Sequence, residues 1–403
     1  MLKTVVPALA LALGVAACGG GSGTGSSSSG DAIVIGATLS LTGSLGALGS
    51  PLEAGYKQEI ADVNAAGGID IGGTKERLKL VVMDNESNPT TASSQASELV
   101  QHDHAVALLG SATEPIVLTT ALVAEQLSVP FLTSLMPVEA FANGDKTGWT
   151  YSWDVFYDEQ QQATNVARAL ASMSSNRKVV LFTDNEPESA VEGPLYEAAL
   201  KTEGLDVVGD YTFPVGATDF SPFIAEAKAA GAQLVAGEMT TTDGDALWKQ
   251  LKSSGFHPQA AFLANASDAD SWWQSLGSLA QDTLSDSYWS SSQASSGQLA
   301  QITPTLGKKY AGNPDYATAA IGYAVAEVLT DALAKAGSTN PGKLNTAISR
   351  TDAQTTAGLI KFNQSTHTAT TPYYITQWQN GKLVQVQPLA SGVTFDVPTT
   401  GLG

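Results

Sequence analysis

Ile33-Val34-Ile35-Gly36-Ala37-Thr38-Leu39-Ser40-Leu41-Thr42-Gly43-Ser44-Leu45-Gly46 runs from an apolar strand-like start into a glycine-rich loop. Ile33-Val34-Ile35 reads as a buried strand. The next stretch reads as a helix: Ser50 is a residue type that caps free helix amides, Pro51 suits a first turn, and Leu52, Tyr56, Ile60 and Val63 recur at spacings of four, four and three. Gly67-Gly68 stops it, and Leu78 to Met83 supplies another strand. Strand, helix and strand in this order make a parallel pair joined by a right-handed crossover.

The unit repeats outward from there. Asn88-Pro89 starts a helix with Ala92, Ala96, Leu99 and Val100 on its inner face. Val106–Leu109 and Val129–Leu132 are strands around a helix from Pro115 to Leu127. After a stretch without period, Asn143–Gln162, the alternation resumes with strands at 179–182, 207–213, 234–236 and 261–263 and helices at 190–202, 220–230 and 245–253. A second loss of pattern spans Ser285–Gly297, followed by a long apolar helix from Tyr316 to Ala336. Asn380-Gly381 between the alternating runs 373–378 and 383–386 signals a hairpin. The expected class is α/β, with doubly wound parallel layers.

The N-terminus has a different composition. Met1 and Lys3 precede an apolar run from Val5 to Ala17, then Val15-Ala16-Ala17-Cys18-Gly19, with Cys18 the only cysteine of 403 residues. A positive start, a short apolar core and small residues before a cut mark residues 1–17 as a secretory signal. The run is shorter than the ~20 residues of a permanent membrane helix. Residues 19–30 are only Gly, Ser and Thr, so 18–30 form a flexible tether, about 20 Å in root-mean-square reach. The context of Cys18 resembles a bacterial lipobox, which implies lipidation of that cysteine and a protein anchored at the outer face of the cell membrane; the alternative is an ordinary signal with an incidental cysteine. The remaining ~370 residues suffice for two domains. A net charge of −19, one unit more negative once Lys3 is removed, argues against nucleic acid as a partner.

Several segments together resemble the branched-chain amino acid (Leu/Ile/Val) type of solute-binding protein that serves ABC importers. They are Ile33–Gly46, Asn64-Ala65-Ala66-Gly67-Gly68-Ile69, Leu80 through Asp84-Asn85 to Asn88-Pro89, Leu109-Gly110-Ser111, Val129-Pro130-Phe131 and Asp219-Phe220-Ser221-Pro222. The likeness runs from about Ile33 to about Gln379. It implies the periplasmic binding protein type I fold: two α/β lobes, three crossover segments, and a cleft that closes on a small ligand. The first lobe is expected from 31–150 and 286–358, the second from 151–285 and 359–403. The implied partners are a small-molecule ligand and a membrane permease. A monomer is expected, with no cofactor.

In open parallel sheets, ligands bind beyond the C-terminal strand ends. That rule selects the loops 40–49, 110–115, 133–137, 183–189, 237–244 and 264–270. On the first-lobe side the candidates are Thr42, Leu48, Ser111, Thr113, Glu114, Thr133 and Ser134. The glycines of 42–49 lack the Gly-Lys-Ser/Thr ending of a phosphate loop. The resemblance places a hydroxyl residue, for an amino acid's polar head, where Glu114 and Pro137 stand. A carboxylate there repels an α-carboxylate and favours an amine or hydroxyl donor. On the second-lobe side the candidates are Glu186, Glu238, Thr240 and Asp268, with Glu188 and Asp270 in the same loops. The resemblance makes Glu238 the receiver of a ligand ammonium. Trp153, Phe156 and Tyr157 lie at the first crossover and Trp289 by another; the alternative for each aromatic is core packing.

Catalysis finds little support in the sequence. His102 and His104 lack further metal ligands, no Gly-X-Ser-X-Gly elbow occurs, and Cys18 leaves no spare thiol. A tethered hydrolase and a ligand-sensing ectodomain of the same fold are the competing readings.

Overall fold

The computed structural model describes residues 32–387 and 402. The expected signal, Cys18, the tether and nearly all of 388–403 lie outside the described residues.

The expected alternation is present. β1 (Ile33–Leu39) leads to α1 (Gly46–Ala65), a small hairpin of β2 (Ile69–Ile71) and β3 (Thr74–Glu76), then β4 (Leu78–Asp84), α2 (Pro89–Gln101), β5 (Ala107–Leu109), α3 (Glu114–Leu127), β6 (Phe131–Thr133), α4 (Val138–Asn143) and β7 (Ser152–Phe156). Asn88 caps α2, its side chain accepting from the amides of Thr90 and Thr91. α1 starts a turn earlier than Ser50-Pro51 suggests. Gly49 lets this first turn lie against the loop after β1, since a Cβ there would sit 1.9 Å from the Ser40 carbonyl oxygen.

The second series is α5 (Glu159–Ser172), β8 (Lys178–Asp184), α6 (Pro187–Thr202), β9 (Asp206–Phe213), α7 (Ser221–Ala230), β10 (Leu234–Glu238), α8 (Thr241–Ser253), β11 (Ala260–Ala264), α9 (Asp270–Leu276) and β12 (Leu284–Ser287). The chain returns through α10 (Ser296–Ile302), α11 (Lys308–Tyr310), α12 (Asp315–Ala336), α13 (Pro341–Ser349), the hairpin β13 (Asp352–Thr355) and β14 (Gly358–Lys361), and β15 (Thr368–Thr370). It ends in the expected Asn-Gly hairpin, β16 (Tyr374–Gln379) and β17 (Lys382–Gln387).

Two larger sheets result. The first is all parallel in the order β15-β7-β6-β5-β1-β4. The second, β17-β16-β12-β11-β10-β8-β9, is parallel up to β12 and antiparallel at the final hairpin. In each, the strand order reverses beside the opening strand, β1 or β8. That is where a doubly wound sheet leaves a crevice.

Sheet membership differs from the expected lobe limits at three places: Asp286 and Ser287, assigned to the first lobe by the limit at 285/286, lie in β12 of the second sheet. Ser152–Phe156 and Thr368–Thr370 pair with each other inside the first sheet, although the limits at 150/151 and 358/359 assign them to the second lobe. The chain therefore passes between sheets after Phe156, after Ser287 and after Thr370. Tyr157, Tyr288 and Tyr373 stand at or next to these three points.

One apolar core runs through both inner layers, joined at the crossings by Trp153, Phe156, Tyr157, Trp289 and Tyr373, and a smaller cluster covers the outer face of each sheet. α12 is long and apolar enough to cross a membrane, but 83% of its apolar window is buried in the fold, mainly along α1. Their contact is backbone-close: a Cβ on Gly55 would lie 2.2 Å from the Ala319 carbonyl oxygen.

Candidate functional site

Around the C-terminal ends of the first sheet, three polar candidates, Thr42, Ser111 and Thr133, are already engaged by the protein. Thr42 Oγ1 donates to Asp84 Oδ2 at 2.7 Å, and the Leu41 and Thr42 amides donate to Oδ1 of the same carboxylate. The Ser111 hydroxyl is fully buried and accepts from the Ser40 amide at 3.1 Å. Thr133 and Ser134 are fully buried, with the Thr133 hydroxyl donating to the Ser134 carbonyl. Thr113 adopts φ +68° just before α3. Glu114 starts that helix and is exposed, and Leu48 is half-buried against the core. Pro137 precedes α4 and offers neither an amide hydrogen nor a hydroxyl.

The aromatic candidates divide. Trp153 belongs to the core: it stacks on His367 at 3.7 Å with rings 8° apart, and its Nε1 donates to Asn345 Oδ1 at 2.8 Å. Trp289 donates to the Thr356 carbonyl and packs on Tyr316, so it too is committed to the fold. Phe156 and Tyr157 lie against each other at 4.4 Å between ring centres. Phe156 also meets Tyr288, and Tyr157 meets Tyr373 edge-on at 5.1 Å. These four rings line the crossings.

The second sheet supplies the chemistry. Asp184, at the end of β8, accepts from Ser189 Oγ at 2.6 Å and from the Thr240 amide at 2.8 Å, so it ties the starts of α6 and α8 together. Thr240 caps α8 through Asp243. Glu186 precedes α6 and is exposed. Neither of these two expected residues enters the cluster that forms beside them. That cluster comes from Glu188 and Glu192 on α6 and Glu238 at the end of β10, each offering one carboxylate oxygen within 4.8 Å of the others. Tyr196, one more turn along α6, holds two of them: its hydroxyl oxygen lies 3.2 Å from Glu192 Oε2 and 3.1 Å from Glu238 Oε2. Asn265 Nδ2 donates to Glu238 Oε1 at 2.7 Å.

Two further carboxyls join from the β11 and β12 ends. Asp286 is buried, with Oδ1 unpartnered, and Asp268 is part-exposed. Burial first, then neighbouring carboxylates, pushes the group away from ionisation. Glu188 rises to about 8 under burial, Glu192, Glu159 and Asp268. Glu159 rises to about 7 under burial and then Glu192. Asp268 rises to about 6 under burial, with Asp315 adding to it. Glu238 is raised well above the carboxylate range by burial and then by Glu192, and Asp286 by burial and then by Asp268. The leading influences on these groups include no lysine or arginine. A dense set of carboxyls, most of them buried and with Glu188 and Asp268 part-exposed, is favoured by protonation or by a bound cation.

Sequence reasoning placed Glu188, Glu238, Asp268 and Tyr157 here, and missed Glu192, Tyr196, Asp286, Tyr373 and Asn265. A signal was present for three residues: Glu188, Glu192 and Tyr196 recur at spacings of four, on one face of a helix that begins beyond a strand end.

A protein-family model described as "Periplasmic binding protein" matches residues 32–382. Leu/Ile/Val-binding protein homolog 7 of Brucella abortus (strain 2308) is 23% identical over 384 residues, covering 90% of this chain and 93% of that protein. Among solved structures, a leucine binding protein, LivK, from Thermotoga maritima superposes with a TM-score of 0.74 at 20% identity, over 88% of this chain and 97% of that one. A solute binding protein from R. palustris, in complex with benzoate, does so with a TM-score of 0.69 at 16% identity, over 88% and 95%.

Proposed function

Because the chain belongs to the periplasmic binding protein family, we propose that it is the extracytoplasmic receptor of an ABC importer, handing to a membrane permease a small solute that presents an ammonium, amide or hydroxyl donor. Its relatives are binding proteins of transporters, and the chain is a solute-binding protein rather than an enzyme. Cys18 holds it to the outer face of the membrane through a lipid, and the tether spaces the folded body from that surface.

One observation carries the choice of solute. Glu188, Glu192 and Glu238 converge at the crevice end of the second sheet, beside the phenols of Tyr157, Tyr196 and Tyr373. Such a wall accepts hydrogen bonds and positive charge and opposes a bare carboxylate. On the first-lobe side, the family resemblance sets Glu114 and Pro137 at the positions of hydroxyl donors for an amino acid's α-carboxylate. Simple leucine, isoleucine and valine, and an aromatic acid of the benzoate kind, are therefore poor fits. Their carboxylate would have no cationic partner here and would meet like charge.

The solute bridges the lobes and favours the closed form by touching both. Isothermal calorimetry against leucine, acetamide, butylamine and benzoate tests the reading. Donor-bearing neutral or cationic solutes are expected to bind more tightly than leucine and benzoate, and Glu114→Ser to weaken the solute that binds best. Micromolar or tighter leucine binding by the wild type would sink the reading.

A further inference from the structure

We infer that the natural solute is an organic cation carrying at least two positive charges, a diamine or polyamine, seated between the Glu188–Glu192–Glu238 cluster and Asp286. This rests on the proposed receptor function and goes further, from a donor-bearing solute to a charge number.

The argument is a count of donors and acceptors. A primary ammonium has three N–H donors and one charge. Glu188, Glu192 and Glu238, with one oxygen each inside a 4.8 Å span, consume all three. Oxygens remain after that. Glu192 Oε1, Asp286 Oδ1 and Gln162 Oε1 are buried without a hydrogen-bond partner, on residues that are 1%, 7% and 2% exposed. A buried acceptor left unpaired costs roughly 1–3 kcal/mol, more when charged; protons and the Tyr373 phenol beside Asp286 meet part of that need in the apo form, and the remaining acceptors suit a ligand's donors. A second ammonium supplies those donors.

Charge points the same way. Glu159, Glu188, Glu192, Glu238, Asp268 and Asp286 act on one another. The first-lobe side adds more negative groups, Glu114 acting on Glu159 and Asp315 on Asp268. Closing the lobes around a monocation leaves most of this repulsion in place; a dication removes more of it. The apolar link between two amines also has a surface to lie on, because Phe156, Tyr157, Tyr288 and Tyr373 line the crossings and aromatic faces attract ammonium groups. A bare divalent metal ion satisfies the three carboxylates but makes no use of these rings.

The test is calorimetry at pH 8 on the mature chain with butane-1,4-diamine, butylamine, spermidine, calcium chloride, acetamide and leucine, repeated on Glu192→Gln. The diamine or the triamine is expected to bind about tenfold or more tightly than butylamine, a difference of about 1.4 kcal/mol. In Glu192→Gln that advantage is expected to shrink, while its apo melting temperature stays at or above that of the wild type. Equal affinity for butylamine and the diamine overturns the two-charge inference and leaves the donor-bearing solute reading standing, as does tighter binding of acetamide than of either amine. Calcium binding with no response to any amine assigns the cluster to a metal and also overturns it. Absence of all binding overturns it too, whereas tight leucine binding overturns the donor-bearing solute reading beneath it and leaves the receptor role standing. If Glu192→Gln does not fold, the comparison of diamine with monoamine on the wild type decides alone.

Discussion

Glu192 and Glu238 present their Oε2 atoms to the same phenol, Tyr196, at 3.2 and 3.1 Å. A phenol has one hydrogen to donate. When it donates to one carboxylate, the other lacks that donor, and a proton shared between the Glu192 and Glu238 carboxyls relieves the contact. The apo cluster is therefore held together by protons that a bound cation would replace, which couples its occupancy to pH.

Stability of the apo protein is expected to fall as pH rises from about 4.5 to about 8. Glu159 and Glu188 in the crevice are pushed up to about 7 and about 8 from an ordinary value of 4.5, and Glu59 and Glu327 by the α1–α12 contact to about 7, burial being the largest cause each time. Across that window the folded chain holds protons the unfolded chain has released, so the unfolding free energy has a negative slope with pH. The stabilising contribution is fully present below about pH 4.5 and is lost as pH passes through the raised values. Differential scanning calorimetry should give a melting temperature lower at pH 8 than at pH 5.5 by several degrees, roughly 2–4 °C for each kcal/mol lost. A melting temperature that rises across this interval would contradict the assignment. A bound cation should flatten the dependence.

Gly55→Ala is expected to destabilise the fold by roughly 2–4 kcal/mol. The added carbon would sit 2.2 Å from the Ala319 carbonyl oxygen and 2.6 Å from the Tyr323 amide nitrogen, both backbone atoms of α12, so the helices must separate. Tyr323 Oη donating to Asp62 and Thr330 Oγ1 donating to Glu59 bind the same two helices and would be stretched with them. Urea unfolding monitored by circular dichroism measures the loss; a midpoint within error of the wild type would mean that α12 shifts at no cost.

Much of the fold was legible because parallel strands buried on both faces read as unbroken apolar runs, as in Val179–Phe182 and Ala261–Leu263. β7 escaped because Asp154 sits fully buried in its middle, a polar residue where the pattern asks for an apolar one. β15 escaped because Thr368-Ala369-Thr370 is too short and too polar to signal a strand. The crevice loops followed from topology, so Glu238 and Asp268 were within reach. Glu192 was not, because a glutamate on a helix reads as solvated until the fold places it against β10 at 1% exposure.

Trp153→Phe separates core from ligand wall. The indole Nε1 bond to Asn345 and the stack on His367 both lie in the first sheet's packing, so the variant is expected to lose about 1–3 kcal/mol of stability. Affinity for whichever solute binds the wild type should change less than threefold, because no atom of Trp153 contributes to the carboxylate cluster. A tenfold loss of affinity with unchanged stability would return Trp153 to the crevice.

Cys18→Ser tests the anchor independently of the site. Residues 1–17 have the charged start, apolar core and small residues of a secretory signal, and Cys18 is the only cysteine, placed right after Ala16-Ala17. A thioether-linked lipid needs the sulfur, and serine has none to offer. The variant is expected in the medium or as an unprocessed precursor, and the wild type is expected to fractionate with membranes in a detergent-releasable form. Because residues 19–30 carry no apolar side chain, nothing else in the tether has affinity for a bilayer. A Cys18→Ser protein recovered with membranes at its mature length would therefore show that the attachment runs through another surface of the folded body.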